Sequence, residues 1–141
     1  MQMSATACAL LSAFFAALTA LLAKAGLHQV DSNLATAVRT VVILLLAWGI
    51  VFYQGTASTL TTIPARSLAF LLASGVATGL SWLFYFKALQ LGKLSVVAAL
   101  DKTSLAMTLL LAFLLLGEKL TLKAIVGCAL IVGGTILLVF K

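Results

Sequence analysis

The stretch GKLSVVAALDKTSLAMTLLLAFLLLGEKL occupies residues 92–120 and decides the class of fold. Residues 94–116 of it are apolar, apart from a few hydroxyl side chains and one charged pair, Asp101 and Lys102. About 20 apolar residues in a helix cross the roughly 30 Å hydrocarbon core of a membrane. Similar runs recur through the 141-residue chain, which is 64% hydrophobic and 9% charged, with a mean hydropathy of +1.26. A soluble domain carries far more charge, so the composition predicts a multi-pass membrane protein.

Polar or glycine-containing turns divide the chain into five apolar runs. Helices and closed barrels are the structures that satisfy the backbone in lipid, and the run lengths favour helices. The first run is too long for the apolar region of a secretion signal and no Lys or Arg precedes it, so we expect a span there. The predicted fold class is therefore all-α, a polytopic five-transmembrane-helix bundle in a single domain over residues 1–141. The spans are predicted at residues 4–25, 32–53, 67–90, 95–116 and 121–140, with one long loop at Gln54–Arg66.

The charges inside the predicted spans all enter the membrane from the same side. If the chain starts on side A, these charges lie in the half nearer the opposite side, B; they are Lys24, Arg39, Lys87, Asp101 and Lys102. The deepest lie roughly 10 Å inside the boundary, at about 1.5 Å per helical residue. Charged groups at such depth usually face the protein interior or a wet cavity. Four cations and one carboxylate predict a cavity with surplus positive charge, which suits an anionic solute.

A polar stripe begins at Asp101 in the fourth span. Ser104 and Thr108 follow it at i+3 and i+7 on one helical face, whereas Lys102 lies about 100° around the helix. Trp82 and Tyr85, near the end of the third span, are candidates for lining the same cavity. The predicted substrate- or proton-binding set is Asp101, Lys102, Arg39, Lys24, Lys87, Ser104, Thr108, Trp82 and Tyr85.

Several of these residues have a structural alternative. The amine of Lys24 or of Lys87 can snorkel to the interface along its apolar stem. Arg39 can pair with Asp101 as a structural bridge. Aromatic residues near a helix end, such as Trp82, often anchor a span at the membrane interface.

Small residues at helical spacing predict where helices pack. Gly75 and Gly79 form a GxxxG motif in the third span, and Gly127 and Gly134 share one face of the fifth. Such residues let two backbones approach closely in a membrane. We therefore assign these four glycines to helix packing and not to a ligand.

The sequence shows no signature of an enzyme, a metal site, a cofactor or a nucleic-acid partner. Cys8 and Cys128 lie in apolar runs without CxxC or Cys/His spacing, and are predicted to be small buried hydrophobes. The single histidine, His28, falls in a predicted loop, and no Ser/His/Asp set accompanies it. The nine Lys and Arg residues are scattered singly and not clustered, unlike those of a nucleic-acid-binding surface. The expected partners are the lipid bilayer and a small-molecule substrate.

Residues 81–138 resemble the second half of an EamA domain, from the drug/metabolite transporter superfamily. The matching text is SWLFYFKALQLGKLSVVAAL at 81–100, continued by DKTSLAMTLLLAFLLLGEKLTLKAIVGCALIVGGTILL. The shared features are an aromatic-rich third helix ending at Tyr85–Leu89, a small turn at Gly92–Ser95, an early acid at Asp101, an LGE end at Leu116–Glu118 and a glycine-containing fifth helix. Lys24 also falls where many members have a lysine. The resemblance covers essentially the whole chain and is most specific from Ser81 onward.

The resemblance implies a secondary transporter of a small metabolite or drug-like solute in the cytoplasmic (inner) membrane. Most members carry two such domains as inverted repeats, ten helices in all, with the substrate between them. This chain looks like the short five-helix bacterial and archaeal branch, so a homodimer is expected to rebuild the ten-helix transporter. Many members have Glu-Pro where this chain has Asp101-Lys102, so a proline break in the fourth helix is not indicated. The identity of the substrate does not carry over.

A different function class and a neighbouring transporter family are the alternatives. A non-transporting membrane subunit would use Asp101 and Lys102 to assemble with a partner chain. A four-helix small multidrug exporter carries a glutamate in its first helix, and the first helix here has no acid. Transport by a homodimer is the preferred interpretation, and the subunit is the alternative.

The orientation of the chain in the membrane follows the side richer in Lys and Arg near the span ends. Side A holds Arg66, Lys119 and Lys123, while side B holds Lys24, Lys87, Lys93 and Lys141, with Arg39 and Lys102 deeper. This near balance predicts insertion in both orientations and an antiparallel dimer. The alternatives are an oppositely oriented paralogue and a parallel dimer.

Overall fold

The computed structural model describes residues 4–139, in which six α-helices and one 3-10 helix occur and no strand. The helices are α1 (Ala5–Gly26), α2 (Ser32–Tyr53), the 3-10 helix η1 (Thr56–Thr62), α3 (Ala65–Leu91), α4 (Leu94–Asp101), α5 (Ser104–Leu116) and α6 (Leu122–Val139). Five segments are long and apolar enough to cross a membrane, with α4 and α5 together forming the segment Leu94–Leu116. The predicted all-α fold with five spans is confirmed. Residue 140, at the end of the predicted fifth span, and Lys141 lie outside the described residues.

Local sequence explains where several helices begin and end. Asp31 precedes α2, and its carboxylate accepts hydrogen bonds from the backbone N–H groups of Asn33 and Leu34, at 2.9 and 3.1 Å. These N–H groups have no partner inside the helix, so an acidic N-cap stabilises its start. At the end of α5, Gly117 has a φ of 66°, a left-handed conformation that residues other than glycine rarely adopt.

The fourth span is interrupted in its middle, between α4 and α5. The N–H groups of Lys102 and Thr103 donate to the carbonyls of Ala99 and Leu100, both at 3.0 Å and three residues back. The Thr103 hydroxyl also donates to the Leu100 carbonyl, at 2.7 Å. Bonds of this 3-10 type tighten the turn and end the regular α-helix. The helix predicted over 95–116 is therefore two helices, and the break forms without a proline.

The long loop predicted at Gln54–Arg66 contains regular structure. Its centre is the 3-10 helix η1, and α3 already starts at Ala65. The hydroxyls of Thr59 and Thr62 donate to the carbonyls of Thr56 and Thr59, at 2.7 and 2.8 Å. Threonines at a spacing of three can bond in this way to the preceding turn, which explains why a Thr/Ser-rich loop is helical here.

The chain divides into two compact units, which we name by their most distinctive charged residue. The Arg39 unit is Ala23–Gln90, and the Asp101 unit comprises residues 4–22 and 91–139. Within the Asp101 unit, α6 packs against α4 and α5. The buried residues are Leu27, Ser32, Thr36, Phe86 and Leu89 in the Arg39 unit, and Ala20, Val97 and Thr135 in the Asp101 unit. Most large apolar side chains are exposed on the helices, as suits a chain surrounded by lipid.

Candidate functional site

Arg39, on α2, lies over the aromatic residues of α3. Its guanidinium carbon is 3.5 Å from the centroid of the Trp82 ring and 5.6 Å from that of Phe86. A cation over an indole face is attracted by the ring quadrupole, by about 0.5–2 kcal/mol depending on burial. Trp82 therefore serves as a platform for a charge inside a span. Phe86, four residues after Trp82 and so on the same helical face, was missed by the sequence analysis.

The aromatic residues of α3 also contact each other. The ring of Trp82 meets those of Tyr85 and Phe86 at 5.5 and 5.7 Å between centroids, with interplanar angles of 77° and 62°. Edge-to-face pairs of this kind hold ring orientations in place. Trp82 and Tyr85, predicted as cavity lining or as interface anchors, thus belong to one aromatic cluster beneath Arg39.

Lys24, near the end of α1, binds the end of α3. Its amine donates to the carbonyl of Leu89, a residue that is 0% exposed. The last four carbonyls of a helix have no partner within the helix, and the negative end of the helix dipole attracts a cation. Lys24 therefore contributes to holding this helix end, a role distinct from both snorkelling and ligand binding.

Lys87 and Gln90 form a second set of contacts at the same helix end. The Lys87 amine donates to the Gln90 side-chain oxygen at 3.5 Å, and the Gln90 amide donates to the Val30 carbonyl at 3.1 Å. Both side chains are exposed, so the long Lys87 contact is weak. Of the three cations predicted in this unit, Arg39 is the one that stacks on an aromatic face inside a span.

Asp101 and Lys102 pair with each other at the break in the fourth span. The Lys102 amine lies 3.4 Å from a carboxylate oxygen of Asp101. On a regular helix the two side chains point about 100° apart, and they meet here where the helix ends. The sequence suggested Arg39 as a structural partner of Asp101; within the Asp101 unit, the cation that pairs with it is Lys102. The side chains are 44% and 62% exposed, so a second chain, lipid or water covers them.

The hydroxyls predicted to continue the polar stripe, those of Ser104 and Thr108, lie on exposed positions of α5. A different hydroxyl contacts the break. Thr135, on α6 and 4% exposed, donates to the carbonyl of Ala99 at 3.2 Å and to that of Ile131 at 2.9 Å. Sequence analysis missed it, although it is the single hydroxyl residue of its apolar helix.

The glycines predicted to pack against another helix lie in open surroundings, and the cysteines predicted to be buried are at least partly exposed. A Cβ built at Gly75, Gly79, Gly127 or Gly134 meets no atom within 4 Å among the described residues. Helix packing at these glycines thus stays a prediction. Cys8, predicted to be buried, is exposed on α1, and Cys128 is half-buried, because apolar positions of a membrane helix also face lipid.

The chain matches the model of the EamA-like transporter family over residues 3–140. The chain belongs to the EamA-like transporter family. A relative from Sinorhizobium sp, named an uncharacterized transporter in cobO 3'region, is 51% identical over 130 residues, 92% of each chain. No solved structure matches the chain.

The family match confirms the resemblance found in residues 81–138, and it extends over nearly the whole chain. Together with the five apolar helices, it makes this EamA protein a multi-pass membrane protein with a transporter role. The family and the transporter-named relative point to a transporter and not to an enzyme.

Proposed function

We propose that this EamA protein is a secondary transporter of a small solute across the cytoplasmic membrane and that it works as an antiparallel homodimer. The observation that carries the proposal is a family match over residues 3–140 of a chain with five candidate spans. Most family members, as the resemblance implies, join two five-helix repeats of opposite orientation. The five candidate spans correspond to one such repeat, and a second copy would supply the other.

The odd number of spans supports an antiparallel arrangement of the two copies. Five spans place the two ends of a chain on opposite sides of the membrane. A second copy inserted the other way round therefore reproduces an inverted repeat. The nearly equal numbers of Lys and Arg near the span ends on the two sides allow both insertions.

The Asp101–Lys102 pair is the element of the Asp101 unit that we assign to transport. It lies at the break in the fourth span, where the helix is bonded in the 3-10 manner. Broken helices in transporters commonly mark the substrate or ion site. Its exposure of 44% and 62% leaves room for a solute or for a second copy.

Membrane topology tests the antiparallel dimer directly. Cys8 and Cys128 are replaced by Ala, and Ser58→Cys places one thiol in the exposed helix η1. A membrane-impermeant maleimide is then applied to intact and to permeabilised spheroplasts expressing this chain alone. Labelling of about half of the chains from each face is expected for a dual-topology protein. Labelling from one face only, with transport intact, would exclude the antiparallel dimer.

Transport is tested separately with the purified protein in liposomes. A panel of small carboxylates, amines and neutral solutes is applied, and flux or transient current is compared with that of empty liposomes. Flux that saturates with one solute class is expected.

The alternative function is a non-transporting subunit, favoured by the exposed charged pair, which a partner chain can cover. It predicts no flux with any solute, and co-purification of a partner that is lost in the double variant Asp101→Asn, Lys102→Gln.

A further inference from the structure

We propose that the edge of the Arg39 guanidinium, held on Trp82, is a binding site for a monovalent carboxylate. The inference rests on the proposed transport function, and it assigns the substrate class to the Arg39 unit. It makes Arg39 a binding residue and Trp82 its positioning platform.

The geometry leaves the donors of Arg39 available. The guanidinium carbon lies 3.5 Å from the Trp82 ring centroid. At this distance a guanidinium stacks on an aromatic ring with its face. A guanidinium carries its five N–H donors around the edge of its plane, where the ring does not reach. No hydrogen bond or ion pair of Arg39 occurs within Ala23–Gln90. A stacked and half-buried Arg39 therefore offers an oriented fork of donors inside a span.

The charges of the Arg39 unit are not balanced. Asp31 is the single acid in Ala23–Gln90, and its carboxylate already accepts from the N–H groups of Asn33 and Leu34. The Lys24 amine donates to the Leu89 carbonyl, which carries no formal charge. The positive charge of Arg39 is thus compensated within the unit by aromatic faces. An anion from outside the unit is the group that would neutralise it.

The site selects a singly charged, planar anion. The Arg fork matches the two oxygens of a carboxylate, with two parallel hydrogen bonds. The cost of moving an ion into a low-dielectric region rises with the square of its charge, so a dianion costs about four times as much as a monoanion. One guanidinium neutralises one negative charge. A carboxylate is therefore preferred to a doubly charged phosphate.

Fluorescence of the protein in nanodiscs tests this site without any transport. The chain has two tryptophans, so Trp48→Phe leaves Trp82 as the single reporter. The discs contain zwitterionic lipid, and the added probes are butyrate, its neutral analogue butyramide, inorganic phosphate and chloride. We expect a saturable change with butyrate, none with butyramide or chloride, and roughly tenfold weaker binding of phosphate.

Substitutions at the two arginines give the matched comparison. Arg39→Gln should abolish the butyrate response, and Arg39→Lys should weaken it about tenfold, since a point charge replaces the planar fork. Arg66→Gln is the control, because Arg66 also lies near an aromatic ring, 6.0 Å from that of Phe70, but at the start of α3. It should leave the response unchanged. The circular dichroism spectrum and the elution profile of each variant must match those of the parent protein. If Arg39→Gln does not fold by these measures, Arg39→Lys and the comparison of butyrate with butyramide decide whether Arg39 binds the carboxylate.

Several results would overturn the assignment. These are no saturation with butyrate, equal responses to butyrate and butyramide, a full response in Arg39→Gln, or tighter binding of phosphate. The measurement is repeated in discs that contain phosphatidylglycerol. If the Trp82 fluorescence there no longer changes when butyrate is added, a lipid headgroup already occupies the site, and a solute site is rejected. If the protein binds butyrate but moves no solute, only the transport proposal is refuted. If it transports a solute that is not a carboxylate and does not bind butyrate, only this site is refuted.

Discussion

Replacing Thr135 by Val should loosen the contact between α6 and the broken fourth span. Val keeps the branched shape of Thr but removes the hydroxyl that bonds to the Ala99 carbonyl at 3.2 Å. Interhelical side-chain hydrogen bonds in membrane proteins average about 0.6 kcal/mol, with an upper value near 1.7. The Ala99 carbonyl retains the Lys102 N–H at 3.0 Å, so the additional cost of an orphaned acceptor, about 1–3 kcal/mol, does not arise. We therefore expect a loss of about 0.5–1 kcal/mol.

Equilibrium unfolding in mixed micelles of a mild detergent and dodecyl sulfate measures this loss. A change of that size lowers the ratio of folded to unfolded protein about two- to fivefold at a fixed dodecyl sulfate fraction. The control is Thr78→Val, because the Thr78 hydroxyl donates only within its own helix, to the Ser74 carbonyl at 2.9 Å, and is exposed. Exposed substitutions of this kind usually change stability by less than about 0.5 kcal/mol.

The comparison between the two variants carries the test. If Thr135→Val is as stable as the parent, or loses no more than Thr78→Val, the hydroxyl does not join α6 to α4. A loss above about 3 kcal/mol would also refute the reasoning, because it exceeds what one hydrogen bond with a satisfied acceptor supplies.

Three further changes test other features of the chain. Asp101→Asn should abolish the solute flux measured with the wild-type protein in vesicles, while expression in the membrane is retained. The amide keeps the shape of the carboxylate but loses the charge that faces Lys102. Normal flux would contradict the assignment. Asp31→Ala should cost about 1 kcal/mol in the same unfolding assay because two α2 N–H groups lose their acceptor, whereas Asp31→Asn, also a good cap, should cost little. Gly117→Ala should lower the free energy of unfolding by about 1 kcal/mol, because Gly117 has a φ of 66°. The control Gly49→Ala, in open space within α2, should not destabilise the protein. Equal effects of the two substitutions would show that the left-handed turn does not matter.

Local signals were sufficient for the architecture. The predicted second span, 32–53, coincides with α2, and the other predicted span boundaries lie within two residues of the observed ones where the structure describes them. The reason is that the thickness of the hydrocarbon core sets how long each apolar run must be, and polar residues and glycines end it. The residues from 81 onward were equally sufficient to indicate the EamA family. The break at Asp101–Thr103 was not indicated, because it depends on carbonyl partners and not on a proline.

The partners of the charged residues were decided by tertiary structure alone. Sequence analysis placed Lys24, Arg39 and Lys87 in one half of the membrane, because helical rise converts position into depth. It had no means to find that Lys24 donates to a carbonyl 65 residues away, since backbone acceptors occur at every position and carry no side-chain signature. It also considered Trp82 only as a lining or anchoring residue, whereas the docking of α2 on α3 makes it the platform of Arg39. Depth in the membrane is a property of one helix, but the partner of a charge depends on how two helices pack. The local spacing of residues does not specify that packing.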